Sequence, residues 1–404
     1  MPLLLPFRGL RPGPAFAGKL SDVVCPPYDV ISDPQRAELL ARSPYNMVRI
    51  ELPKGDYAGA AATLLQWKSS GALVREPEPA LYGYRMKYVS PTGEHRETVG
   101  VLGALVLEPP GRGILPHEQT TPKDKSDRLE LLRATHANTS PIWCLCTEAG
   151  LAGLLGDAAS GEGEIAEALD DEGVSHEIWP IFDRAVHDRI AVLAAAAPLL
   201  VADGHHRYET ALAYQAEVGT SHASEPGPCG GIPEPTGPGA ILSLVVELSD
   251  QYLQVLAIHR GISGLPPGTD VVTAFKEGFS VNAATTTGAA LVGEMRTAGA
   301  VGLVTREGAY LAKPRPERGS AAFALDSSRV DAALGTLPPH HLSYEHDVAR
   351  ALGEVQDGRL DALALCRPAT VAQIAATARG GERMPPKTTF FWPKPRTGMV
   401  LRDW

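Results

Sequence analysis

Positive charge is in short supply in this chain. Its 37 Lys and Arg stand against 47 Asp and Glu, a formal net charge of −10. That balance argues against bulk nucleic-acid binding, which depends on neutralising many phosphates, so any anionic ligand has to be drawn by a local basic pocket. Long apolar runs are missing too, and none approaches the roughly 20 residues of a membrane span. Cysteine is sparse. Cys25, Cys144, Cys146, Cys229 and Cys366 are odd in number and scattered, and the one close pair, Cys144-x-Cys146, has neither zinc-site nor thioredoxin spacing. Reduced thiols packed as small hydrophobes are expected.

Nucleotide signatures are absent as well. No Gly-x-x-x-x-Gly-Lys-Ser/Thr loop occurs, and no kinase-type glycine loop with a downstream His-Arg-Asp, which excludes the two standard ATP-binding motifs. What remains is ordinary globular composition, 44% hydrophobic and 21% charged over 404 residues. That is length for two domains, or one with large insertions. The N-terminus is apolar but carries Pro2, Pro6 and Arg8 and lacks a basic region followed by a cleavage site, so a mature cytoplasmic chain is expected.

The most informative stretch is Ala202-Asp203-Gly204-His205-His206-Arg207-Tyr208-Glu209. It follows the apolar run 197–201 and opens an apolar-periodic segment, the place where a strand hands over to a helix. Such a junction binds anions: the first helical turn has N–H groups without intrahelical partners, the macrodipole is positive there, and glycine lets a phosphate approach the backbone. Two histidines and an arginine add side-chain donors, the arginine with a planar fork suited to phosphate oxygens.

Three further segments set charged residues beside turn formers. Cys25-Pro26-Pro27-Tyr28-Asp29 is held extended by its prolines. In Leu115-Pro116-His117-Glu118 and the residues after it, Thr121, Pro122 and Asp124 predict a helix starting near Pro122 that carries Leu129 and Leu132 inward, with Lys123, Lys125 and Arg128 on it. Arg383-Met384-Pro385-Pro386-Lys387, followed by Thr388 to Trp392 and Lys394, predicts a strand flanked by positive charge. Alternation predicts further strands over 46–52, 80–89, 140–146 and 240–248, a second strand ending at 256–260, and an interrupted helix over 152–168. The Gly-, Pro- and Ser-rich stretch 219–239 reads as a surface loop or linker between an N-terminal part, 1–218, and a C-terminal part, 240–404.

Leu115-Pro116-His117-Glu118, Pro141-Ile142 and Asp203-Gly204-His205-His206-Arg207, in that order, resemble the ParB/sulfiredoxin-like superfamily, and within it the free-serine kinases. Over its full length, with Cys25-Pro-Pro-Tyr-Asp, Ala202-Asp-Gly-His-His-Arg-Tyr-Glu and Arg383-Met-Pro-Pro-Lys, the chain also resembles a bacterial and archaeal family known as a conserved domain of unknown function, in whose wider group some members are associated with pyrophosphate-dependent serine phosphorylation. The resemblance implies an α+β fold: a ParB/sulfiredoxin-like mixed-sheet core in 1–218 and an additional C-terminal α+β part that lends a cationic strand to the site. Where sulfiredoxins carry a nucleophilic cysteine before the His-Arg pair, this chain has His205, which excludes thiol chemistry at the turn. No helix-turn-helix candidate accompanies the core.

The activity implied is phosphorylation of free L-serine to phosphoserine, with pyrophosphate the preferred donor. Phosphoryl transfer needs an anion cradle, charge neutralisation and a base for the hydroxyl proton. Gly204, His205, His206 and Arg207 are candidates for the cradle, with Lys387 and Lys394 as further phosphate ligands. Match with the kinase branch makes Glu118 the base, with His117 beside it. Asp203 and His206 are further catalytic candidates, and Asp203 is a candidate Mg²⁺ ligand, since magnesium takes only one or two carboxylates besides donor phosphates. Tyr28, Asp29, His117, Lys123 and Arg128 are candidates for substrate contact. The rival readings are a phosphoserine phosphatase or nucleotide-dependent serine kinase using the same cradle, and a non-catalytic sensor of a phosphometabolite or nucleotide.

Overall fold

A computed structural model describes residues 1–13, 16, 18–90, 93–116, 123–159, 164–219, 224–225, 234–235, 237–315, 324–380, 382 and 384–404, with the backbone alone at 116, 123–125, 224–225, 234–235 and 378–379. The described residues fall into two compact units, one made of the chain up to Leu253 together with Pro393–Trp404, the other of Gln254–Trp392.

The first unit is organised by a mixed sheet of nine strands. Eight lie in the order Ile114–Pro116, Leu199–Asp203, Ile142–Cys146, Ala240–Glu247, His95–Val106, Leu81–Val89, Ser175–Ile181 and Ala166–Leu169, while Leu4–Leu5 pairs with the end of His95–Val106. Leu199–Asp203 runs parallel to Ile114–Pro116, Ile142–Cys146 runs parallel to Ala240–Glu247, and the other neighbours are antiparallel. Central strands read as continuous apolar runs because both faces are covered: every residue of Ile142–Cys146 is buried, as is all of Ala240–Glu247 except its last residue. Trp143, Trp179, Arg402, Tyr82 and Tyr84 are the largest fully buried side chains of this unit among the described residues.

The predicted division at 219–239 is not where the units part. Ala240–Glu247 lies in the middle of the first sheet, so residues 219–239 connect two elements of one unit, the helix His205–Val218 and that strand. The chain leaves at 253/254 and returns at 392/393, and Pro393–Trp404 joins the first unit: Thr397 bridges to Cys25, Leu401 to Leu10, and Arg402 pairs with Asn138. Such returns depend on packing between distant segments, which local pattern does not encode.

The stretch 46–52 also departs from expectation. Val48–Glu51 is a short helix instead of a strand, entered after Asn46, whose Oδ1 accepts from Val48 N at 3.0 Å and whose amide donates to the carbonyls of Asp22 and Val24. Asparagine at a helix entrance satisfies N–H groups that a strand would leave to a ladder. The helix expected near Pro122 is described from Lys123 to Thr135, and it buries Leu131 and Leu132, with Leu129 only half-buried. The second unit holds a six-stranded antiparallel sheet in the order Phe279–Ala283, Ala309–Pro314, Val301–Thr305, Ala362–Leu365, His259–Ser263 and His341–Glu345, plus a pair formed by Gln254–Ala257 and Thr389–Trp392. The predicted strand ending at 256–260 is thus two strands. Among the described residues no helix is long and apolar enough to cross a membrane.

Candidate functional site

The strand Leu199–Asp203 ends at Asp203, and the helix His205–Val218 begins two residues later, as the apolar run and its polar continuation require. Between Val201 and Asp203 the register against Ile142–Cys146 shifts, and Gly204 turns the chain with φ +88°. A side chain there would be strained, and a Cβ would sit 2.9 Å from Ile142 Cγ2 and 3.1 Å from Arg207 Nε and Nη2. Glycine therefore leaves room for the Arg207 guanidinium to fold back over the turn.

Asp203 receives two cations: Arg207 Nη2 donates to Oδ2 at 2.8 Å, and Lys394, from the returning C-terminal segment, donates to Oδ1. Burial pushes the Asp203 carboxyl up, but Lys394 and Arg207 outweigh it and hold the group well below the usual carboxylate range. Arg207, whose burial works against its charge, is kept protonated by Asp203, with Asp29, Tyr28 and Glu51 in support. Its Nη1 donates to Ser140 Oγ at 3.0 Å and to the Pro141 carbonyl at 2.6 Å. Its Nε is buried and makes no hydrogen bond among the described residues.

Tyr28 and Arg128 come together, the guanidinium 4.1 Å above the ring centroid. Arg128 is only 6% exposed; it donates to Asp127 Oδ2 and, through Nη1 at 2.8 Å, to the Glu51 carbonyl. Arg128, Thr139, Ser140, Arg207 and Thr210 line one small cavity. Asp29 is exposed, and His205 and His206 are half-buried on the first turn of the helix.

Asp203 does not fit the magnesium role read from the sequence. Each of its oxygens already accepts from a cation. Divalent ions seek carboxylates whose negative charge is available, and Lys394 and Arg207 neutralise this one. Lys387 lies in the second unit, at φ +59°, and its carbonyl accepts from Arg260 Nη1 at 3.0 Å. His117, Glu118 and Arg383 lie outside the described residues, as does the side chain of Lys123.

The match to a family model settles the chain's kinship: residues 4–336 fit the family described as "Protein of unknown function (DUF1015)". The chain belongs to the DUF1015 family. No curated protein matches this DUF1015 chain. Among solved structures it is similar to a free serine kinase in complex with AMP, at 16% identity and a TM-score of 0.38, covering 69% of this chain and 83% of that one. It is similar also to a conserved hypothetical protein from Pyrococcus furiosus, at 14% identity and 0.38, covering 70% and 88%. A third likeness is to a C-terminally truncated SbnI from Staphylococcus aureus, at 12% and 0.39, covering 73% and 85%.

The DUF1015 site also contains residues that sequence reading passed over. Glu51 is fully buried and accepts from Thr139 Oγ1, from Ser140 Oγ at 2.9 Å and from Tyr28 N at 3.3 Å. Its one sequence signal is an acid between the apolar Ile50 and Leu52, and reading 46–52 as an alternating strand, which would turn Glu51 to solvent, hid it. The described cysteines Cys25, Cys144, Cys146 and Cys366 are free and buried, and burial pushes the Cys366 thiol up to about 12. This is the chemistry of packed thiols, not of a nucleophile.

Proposed function

We propose that this DUF1015 protein is a phosphotransferase that converts free L-serine to O-phosphoserine, with pyrophosphate as its preferred donor. The observation that carries the reading is the mouth of the helix His205–Val218, where Asp203 gathers Arg207 and Lys394 beside first-turn backbone donors. An anion there meets the positive end of the helix and two cations already desolvated and oriented, so their charge needs no reorganisation. Short-range cationic donors such as these suit a compact polyanion.

In this reading the first turn from Gly204 to Arg207 cradles the transferring phosphoryl group, with His206 at hydrogen-bonding range of an equatorial oxygen. Asp203 acts by orienting Lys394 and Arg207. The serine hydroxyl oxygen attacks phosphorus in line, the bond to the bridging oxygen breaks, inorganic phosphate leaves, and the hydroxyl proton passes to Glu118. Tyr28, Asp29 and Arg128 face the acceptor. No step runs through a metal at Asp203.

The test is direct: purified protein is incubated with serine, Mg²⁺ and, separately, pyrophosphate, ADP or ATP, and phosphoserine is measured by mass spectrometry. Phosphoserine is expected with pyrophosphate and is lost in Arg207→Ala. Product with ATP alone would replace the donor assignment, and no product with any donor would remove the serine-kinase reading.

A further inference from the structure

Glu51 has no local reason to be a carboxylate. It is 0% exposed, on a four-residue helix whose Val48 and Ile50 are also buried, and an apolar side chain of similar volume would fill the place without the desolvation cost of a charge, several kcal/mol for an isolated ion. What only a carboxylate provides there is a double acceptor. One oxygen takes the Thr139 hydroxyl, and the other takes the Ser140 hydroxyl and the Tyr28 N–H. Ser140 has a single proton, and Glu51 accepts it, so the Ser140 lone pairs face Arg207 Nη1 at 3.0 Å. The direction of the hydroxyl is fixed at one end by the acid and used at the other by the guanidinium.

Resting on the phosphotransferase reading above, we infer that Glu51 is a positioning residue: through Ser140 it sets the orientation of Arg207 at the helix mouth, and through the Tyr28 amide it ties the Pro26–Asp29 segment to the same frame. The chain Glu51–Ser140–Arg207 joins three segments separated by 89 and 67 positions. Arg128, which donates to the Glu51 carbonyl and lies over Tyr28, closes the frame from the neighbouring helix. Removing the second acceptor frees the Ser140 hydroxyl to turn its proton towards Arg207, which replaces an attraction by a repulsion between donors.

A double-mutant cycle on the full-length protein tests this, with pyrophosphate affinity measured by calorimetry and Arg207 located in crystals of each variant. Glu51→Gln is expected to weaken pyrophosphate binding about tenfold in the wild-type background and by less than about twofold in Ser140→Ala, because both act on one chain of hydrogen bonds. Ser140→Thr, which keeps the hydroxyl, is expected to restore most of the loss seen in Ser140→Ala. Crystals of Glu51→Gln are expected to show Arg207 Nη1 withdrawn from Ser140, a readout that needs neither donor nor activity. An equal loss in both backgrounds, or an unmoved Arg207, would overturn the inference; if Glu51→Gln does not fold, the Ser140→Ala and Ser140→Thr crystals decide it by whether Arg207 follows the hydroxyl. Absence of phosphoserine in a wild type whose Arg207 responds in this way would instead count against the kinase reading alone.

Discussion

Lys394 donates to the carboxylate of Asp203 across 191 positions of sequence. The pair joins the last segment of the chain to the end of a central strand, and Arg207 completes it from the following helix at 2.8 Å. A buried carboxylate with two cations tolerates the loss of either one poorly, because the remaining charges were desolvated for the set. Lys394→Met is expected to destabilise the protein by about 3 kcal/mol, read as a lower midpoint in urea unfolding, and to weaken pyrophosphate binding. An unchanged midpoint would mean that the C-terminal segment is held by its backbone bridges alone.

Binding and turnover separate in the proposed mechanism. Arg207→Ala is expected to weaken donor binding, since it removes the fork beside the first turn. Glu118→Gln is expected to leave donor affinity near normal and lower turnover by about a hundredfold or more, the usual contribution of a general base. Equal turnover in a folded Glu118→Gln protein would remove Glu118 from that role.

Gly204 carries a sharper expectation. At φ +88°, with a Cβ position 3.1 Å from the Arg207 guanidinium, Gly204→Ala meets backbone strain and a displaced arginine together. A stability loss of about 1–2 kcal/mol is expected from the left-handed conformation alone, accompanied by a weaker donor affinity that calorimetry would detect. Loss of stability with unaltered affinity would show that Arg207 does not depend on the open turn.

Acid sensitivity should arise in part from His259 of the second unit. Burial, with Arg260 and His346 adding to it, pushes its pKa down to about 4, and its Nδ1 accepts from Cys366 N at 3.2 Å as a neutral ring. Above about pH 6.5 the folded and unfolded states are both neutral at this position. Between about 6.5 and about 4 the unfolded ring takes up a proton that the folded one refuses, so stability is lost as pH falls through that window. His259→Gln keeps an acceptor for Cys366 and should flatten this part of the profile of unfolding free energy against pH. A profile identical to that of the wild type would place the sensitivity elsewhere, with the buried His176 and His187, whose pKa values are also lowered, as the next groups to test.

Local pattern in the sequence determined a good part of this molecule. The apolar run before Asp203, the glycine after it and the periodic segment that follows specify strand, turn and helix, because propensity and capping act over a few residues. The buried strands 81–89, 142–146 and 240–247 were legible for the same reason. Tertiary structure decided the rest. It placed Ala240–Glu247 inside the first sheet, brought Lys394 to Asp203, and turned 48–51 into a short helix that buries Glu51 beneath Thr139 and Ser140. The partners of a buried charge are chosen by which distant segments close around it, and its desolvation is offset only once they have done so. Asp203 could therefore be read as a candidate site residue from its turn alone, whereas its cations, and the hydrogen-bond partners of Glu51, exist only in the folded chain.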